Sequence, residues 1–369
     1  MPAKEIKTVE ELRALLQAGR PLDHVRLQDL DLTEVEPQLL QVETFSGLVV
    51  MGGRVSSRLD QRLRLHGALV FPTDPEVPFD PWSARLYRPV ELYAGLRAGG
   101  YPKTPDSRTY QWALAPETQR DAYATLLRAV HDDSVTDALF ELVDGRSVVG
   151  VMGGHALERG TTPYADAARL GHRLAQTGRV VTTGGGPGAM EAANLGAFTE
   201  DSAALDDALA ELAAVPTFRP SIDDWATIAL AVREQLVGTA PPTRLRSLGI
   251  PTWFYGHEPP NVFVDWVAKY FSNALREDLL LRVCGSGIVV LPGAAGTVQE
   301  IFQIVTPLYY AAPGTPLPPL VLVDRTYWTE TIPVWPALQA LGRDRPMAEA
   351  VSLVDDISQA GDALLAATT

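Results

Sequence analysis

Two glycine-rich turns carry the residues best suited to chemistry: Gly184-Gly185-Gly186-Pro187-Gly188 and Pro292-Gly293-Ala294-Ala295-Gly296-Thr297. Each follows an apolar run of strand character, residues 179–183 and 288–291, and leads into a helical pattern. A turn poor in Cβ atoms lets backbone N–H groups approach a phosphate. The helix behind it adds unpaired donors and the positive end of its dipole. One such turn alone is better explained as a tight βα connection. Two together point to a ligand the size of a nucleotide.

Ionisable residues lie close to these turns. Thr297 and Glu300 have the spacing of a capping box, in which Thr297 would be the N-cap and Glu300 would reach back to its N–H. Gly153, Gly154 and His155 end another apolar run and are placed to line a ribose and base pocket, with a surface role for His155 as the alternative. Met190, Glu191 and Asn194 stand on the helix behind the first turn, where Glu191 would also satisfy the positive helix end. His257 and Glu258 are an acid/base pair on paper, but neighbours in an irregular segment point apart, which leaves them a pocket-lining role.

The composition excludes several classes. The chain has 369 residues, 46% of them hydrophobic and 21% charged, as expected of a soluble globular protein able to bury one large core or two smaller ones. A net charge of -14 argues against a broad nucleic-acid surface, so a phosphorylated small molecule needs a local positive site. Only Lys4, Lys7, Lys103 and Lys269 are lysines; the other basic residues are arginines, which suits forked recognition of phosphate, although genome base composition explains the bias equally well. The single cysteine, Cys284, excludes an intrachain disulfide and reads as a small buried thiol. The six histidines are scattered without an HExxH pattern or Cys/His pairing, so no metal is expected. Residues 1–20 lack a continuous apolar stretch, which implies neither a signal peptide nor a membrane span and leaves a cytoplasmic location.

The elements that must position these residues fall into two regions. Residues 1–140 read as an accessory α/β region: a helix over 9–18, a strand and glycine turn in GLVVMGG at 47–53, and a proline- and aromatic-rich wrap over 71–89. A polar passage over 102–116 and a helix over 121–131 complete it. Residues 141–369 alternate strand and helix, with strands at 147–152, 180–183, 288–291 and 320–323. Helices are expected at 163–177, 189–198, 262–281, 298–310 and from 357, and residues 200–260 read as less regular. This order predicts an α/β fold with a doubly wound, mainly parallel, Rossmann-like sheet, whose ligands bind at the carboxyl ends of the strands.

TTGGGPGAMEAANLGA (182–197) and LPGAAGTVQE (291–300) together resemble the LOG family of nucleoside 5′-monophosphate phosphoribohydrolases, proteins often labelled lysine decarboxylases. The family pattern PGGxGTxxE appears here with Ala294 in place of its second glycine. The resemblance covers roughly residues 147–325, and the segments 251–261 and 268–278 look closer to the larger purine/pyrimidine nucleotide 5′-monophosphate nucleosidases.

The resemblance implies hydrolysis of the N-glycosidic bond of a nucleoside monophosphate such as AMP, releasing free base and ribose 5-phosphate without a cofactor. Such a transition state develops positive charge on the ribose, which a carboxylate can stabilise while orienting water. By the same resemblance, Glu300 holds the catalytic position. The second catalytic residue is an arginine before the second turn: Arg276, with Arg282 as the other candidate and a solvated cluster Arg276-Glu277-Asp278 as the non-functional alternative. LOG-like proteins also imply a homodimer or a larger assembly.

Three other functions compete for these residues. GGGPGAM is not the GxGxxG of a nicotinamide enzyme, and no acidic residue closes a second strand at the expected offset. Pyridoxal chemistry needs a Schiff-base lysine, and Lys269 sits in a helical pattern without a cofactor motif. A non-catalytic nucleotide or molybdenum-cofactor carrier shares the glycine turns and is the alternative that the altered PGAAGT turn keeps open.

Overall fold

A computed structural model describes residues 4–237, 244–254 and 258–366. The chain forms two compact units, Met1–Leu86 with Thr109–Leu139 and Tyr87–Arg108 with Phe140–Thr369. Residues 87–108, expected in the accessory region, belong to the second unit.

The first unit holds a four-stranded parallel sheet in the order β1 (Glu5–Ile6), β2 (Arg26–Gln28), β3 (Val49–Met51) and β4 (Leu69–Phe71). Helices α1 (Val9–Gln17) and α2 (Ser57–Leu65) bury Leu12, Leu15, Leu59 and Leu63 in its core. The GLVVMGG strand forms as expected, with Gly52 and Gly53 in left-handed conformations after it. Residues 72–88 have no helix or strand, yet they are ordered by packing: Phe79 and Trp82 are buried, and the Phe79 ring meets those of Trp112 and His131 edge-on at 5.0 and 5.2 Å. Helix α3 (Ala122–Val143) is much longer than the expected stretch 121–131. Residues expected as a polar passage instead form the helix Pro105–Leu114, because proline is well accepted in a first helical turn.

The second unit contains β5 (Val148–Met152), α4 (Thr162–Gln176), β6 (Val180–Thr183), α5 (Ala189–Phe198), α6 (Ser202–Leu212), α7 (Ile222–Val237), β7 (Ser247–Gly249) and β8 (Trp266–Val267). Then come α8 (Asn273–Val283), β9 (Ile288–Val290), α9 (Ala295–Tyr310), β10 (Leu320–Val323), β11 (Val351–Val354) and α10 (Ile357–Ala366). The strands form one parallel seven-stranded sheet in the order β11-β10-β9-β5-β6-β7-β8. Val149, Val181, Val289 and Val290 are fully buried, as the near-continuous apolar strands require of a sheet covered on both faces.

Two expectations fail here. The segment expected as irregular holds α6, α7 and β7. The helix expected over 262–281 is instead β8 followed by α8. Trp266 and Val267 pair with Leu248 and Gly249, and the Ser272 hydroxyl caps α8 by accepting from Leu275 N–H. Cross-strand pairing at the sheet edge overrides a pattern that reads as helical in isolation.

The strand order reverses between β5 and β9, which makes this the switch point of the fold. β6 lies on the other side of β5. The loops after β9, β5 and β6 therefore stand side by side at the carboxyl edge, where open parallel sheets bind ligands.

Candidate functional site

Those three adjacent loops carry the two glycine turns and the Gly153-Gly154-His155 segment. Gly154 N–H donates to Pro292 O (3.1 Å) and Gly154 O accepts from Ala189 N–H (3.1 Å), so the β5 loop ties the two turns together. Gly184, Gly186 and the whole run Gly293–Thr297 line one cavity of about 1100 Å³, as do Gly153, Gly154, His155, Met190 and Glu258. Gly185 and Gly188 are not on its wall; they shape the turn. Gly188 has φ 72°, and a Cβ there would come within 2.6 Å of Gly154 O.

The first turn is braced from behind. Asn194 donates to Ser247 Oγ (2.9 Å). Asn261 donates to Asn194 Oδ1 (3.0 Å) and to Gly186 O (3.1 Å), while Thr183 Oγ1 accepts from Gly185 N–H (3.0 Å). All four side chains are buried, and this network holds the peptide groups of the turn in one orientation.

Helices α5 and α9 both start at the cavity, and neither has a side-chain N-cap. Apart from Ala189 N–H, which already donates to Gly154 O, their first-turn amides are thus the donors expected of an anion site. The capping-box reading of Thr297 and Glu300 is corrected: α9 begins at Ala295 with Ala294 as N-cap, so Thr297 lies inside the first turn and Glu300 in the second. Ala294 has φ −88°, a conformation open to any L-residue, so the turn tolerates alanine where the family pattern has glycine.

Glu300 lines the cavity and is half-buried. Burial pushes its carboxyl up to about 7, the Arg276 charge pulls it down, and Glu277 pushes it up further. Arg276, also on the wall, donates from Nε to Ile250 O (2.6 Å) and from Nη2 to Gly184 O (3.2 Å). Those carbonyls fix the fork of the guanidinium beside the first turn. Glu277 is buried and accepts from Asn273 Nδ2 (2.8 Å) and from Gln299 Nε2, while Asp278 is exposed. Arg276 and Glu277 are therefore not a solvated charge cluster. Arg282 stacks on the Phe140 ring at 5.1 Å and takes no part in the cavity wall.

Other expected residues lie elsewhere. Glu191, expected at the pocket, is sealed in the interior: it pairs with Arg159, accepts from Tyr164 Oη (2.8 Å), and is absent from the wall of the large cavity. A buried arginine requires that carboxylate as its counter-charge. His257 lies outside the described residues. Glu258 pairs instead with His155, whose Nδ1 stands 3.2 Å from Glu258 Oε1. Lys269 is not helical; it is buried against Asp106 at 2.6 Å, away from the cavity. Cys284 is buried and donates to Leu280 O at 3.0 Å; burial pushes its thiol far up.

Sequence reasoning missed Glu277, Asp324, Tyr327, Asp355 and Asp356, all on the cavity wall. Asp324 and Asp355 directly follow the last residues of β10 and β11, so the strand-end rule used for the glycine turns would have found them. Asp324 accepts from Tyr327 N–H (2.9 Å), and Tyr327 Oη donates to Gly293 O (3.0 Å), which steadies the second turn. Among the described residues, no group of three or more His, Cys, Asp or Glu side chains is arranged to hold a metal ion. No helix among them is long and apolar enough to cross a membrane.

Residues 146–205, from β5 through α5 and including the first glycine turn, match the SLOG cluster4 family. The similarity thus lies in the SLOG superfamily, which includes the LOG-like Rossmann proteins, and does not single out the LOG family itself. No curated protein matches the chain. Among solved structures, it is similar to the molybdenum cofactor carrier protein of Chlamydomonas reinhardtii, at 18% identity over 60% of this chain and 99% of that one, with a TM-score of 0.35. It is also similar to the molybdenum cofactor binding protein of the phototrophic bacterium Rippkaea orientalis, at 16% identity over 61% of this chain and 99% of that one, with a TM-score of 0.36.

Proposed function

We propose that this protein hydrolyses the N-glycosidic bond of a nucleoside 5′-monophosphate, releasing the base and ribose 5-phosphate. The observation that carries the reading is the convergence of two uncapped helix N-termini, Arg276 and Glu300 on one cavity. The amides of the two turns hold the phosphate. Glu300 faces the anomeric carbon, where its charged form stabilises the oxocarbenium-like transition state and takes a proton from the attacking water. A carboxyl raised to about 7 suits that task, because a general base works best near the operating pH. Arg276, already oriented by two carbonyls, contributes positive charge near the same group.

A carrier that holds a phosphorylated ligand without cleaving it would use the same turns and leave Glu300 idle. Chromatography of the pure protein incubated with a panel of nucleoside monophosphates separates the two. Hydrolysis predicts free base from at least one nucleotide, abolished in Glu300→Ala. Tight binding without base release in both proteins would identify a carrier and overturn the proposal.

A further inference from the structure

Breaking a bond from C1′ to a neutral nucleobase leaves the electron pair on the base, which departs readily only if a proton arrives. Glu300, assigned to the water, cannot supply it in the same step. A guanidinium such as that of Arg276 is no useful acid. The Tyr327 hydroxyl is engaged with Gly293 O. His155 supplies the only imidazole among the described residues of the cavity wall.

The His155 ring is placed by its surroundings. It follows Gly154, the residue that joins the two glycine turns, and its Nδ1 lies 3.2 Å from Glu258 Oε1. Glu258 Oε2 stands 3.4 Å from where a Cβ on Gly186 would be, so the pair sits against the first turn. A carboxylate at Nδ1 takes that hydrogen, fixes the ring, and leaves Nε2 as the atom available to a ligand. Both side chains keep a solvent-accessible face.

We infer that His155 is the proton donor to the departing base and that Glu258 is its positioning residue, an inference that rests on the hydrolase reading above. The C1′–N bond breaks with its electron pair going to the base. The imidazolium form of His155 passes its Nε2 proton to a ring nitrogen of the base and becomes neutral with Nδ1–H still on Glu258, water oxygen bonds to C1′, and a water proton passes to the Glu300 carboxylate. The base leaves neutral, and the two protein groups exchange their protons with solvent afterwards.

The test compares AMP with two nucleotides whose bases are already cationic, 7-methylguanosine 5′-monophosphate and nicotinamide mononucleotide, which leave neutral without a proton. The inference predicts that His155→Gln lowers kcat on AMP about 100-fold, the usual range for a lost general acid. On a cationic-base nucleotide, kcat should stay within about threefold of the parent protein's. Glu258→Gln should show the same selectivity with a loss of about tenfold on AMP. Equal losses on both substrate types, or none on AMP, would overturn the role of His155 while leaving hydrolysis standing. A parent protein that cleaves AMP but neither cationic nucleotide also counts against it, because a site limited by protonation gains from a base that needs none. A parent protein that cleaves no nucleotide fails at the hydrolase reading itself and takes this inference with it.

Discussion

Replacing Glu300 by glutamine should remove activity and, at alkaline pH, make the protein more stable. The carboxyl is raised from its ordinary 4.5 to about 7, chiefly by burial, so the folded chain holds a proton that the unfolded chain has already lost between those two values. Below about pH 4.5 both states are protonated and the substitution matters little. As pH rises from 4.5 to 7, the unfolded state becomes the better home for the charged carboxylate, and the parent protein loses stability throughout that window. Above 7 the loss is complete. At about 1.4 kcal/mol for each tenfold change in proton affinity, the full effect is roughly 3 kcal/mol. The face that Glu300 keeps on the cavity reduces this to about 1–2 kcal/mol. Glutamine has the same shape and no charge to bury, so Glu300→Gln should melt roughly 2–6 °C above the parent at pH 8, and at the same temperature at pH 4.5. Scanning calorimetry at the two pH values reads this directly. A variant that melts no higher at pH 8, or gains equally at both values, refutes the burial argument.

Three further outcomes follow from the same geometry. Gly293→Ala would place a Cβ into overlap with Thr297 Oγ1 and 3.0 Å from Gly154 N, so the second turn must shift; the cost of about 1–3 kcal/mol should appear as roughly 5- to 100-fold weaker inhibition by ribose 5-phosphate. Glu191→Gln strands Arg159, 1% exposed, without its counter-charge, and should cost about 3–5 kcal/mol in denaturant unfolding while leaving kcat of the folded protein unchanged. A net charge of -14 repels a dianionic substrate at long range, so kcat/KM for AMP should rise roughly two- to fivefold as salt goes from about 10 to about 150 mM. A fall with salt would mean a local cationic field outweighs the whole.

The parts legible in the sequence were those set by local rules. Apolar runs and glycine turns located β5, β6, β9 and β10, and the GLVVMGG strand of the first unit, because a buried parallel strand has little choice of composition. What escaped depended on partners distant in sequence. Trp266 and Val267 read as helix until Leu248 and Gly249 supply strand partners. Glu191 looked like a ligand-facing acid until Arg159 and Tyr164 closed on it. Thr297 and Glu300 matched a capping box, but α9 starts three residues earlier, where backbone amides at the cavity need no side chain. Glu258 read only as a pocket-lining residue, and the fold sets it beside His155, about a hundred positions earlier in the chain.

On the proposed reading, strand order explains how so acidic a protein holds an oxyanion. The loops of β9, β5 and β6, gathered at the switch point, contribute backbone amides whose partial charges act at hydrogen-bond range and add nothing to the net charge. Next along the sheet, β10 and β11 add Asp324, Asp355 and Asp356 to the same wall. The Tyr327 bridge from the Asp324 turn to Gly293 O couples that acidic side to the second glycine turn. On the proposed reading, one side of that lining offers donors and the other acceptors, and a ligand that meets both carries an oxyanion at one end and hydroxyl or N–H donors at the other. A nucleoside monophosphate has that polarity; inorganic phosphate has only half of it. Truncating the nucleotide to free phosphate should therefore cost more binding than the lost apolar contacts alone, because the carboxylates would face an anion with no donors to meet them.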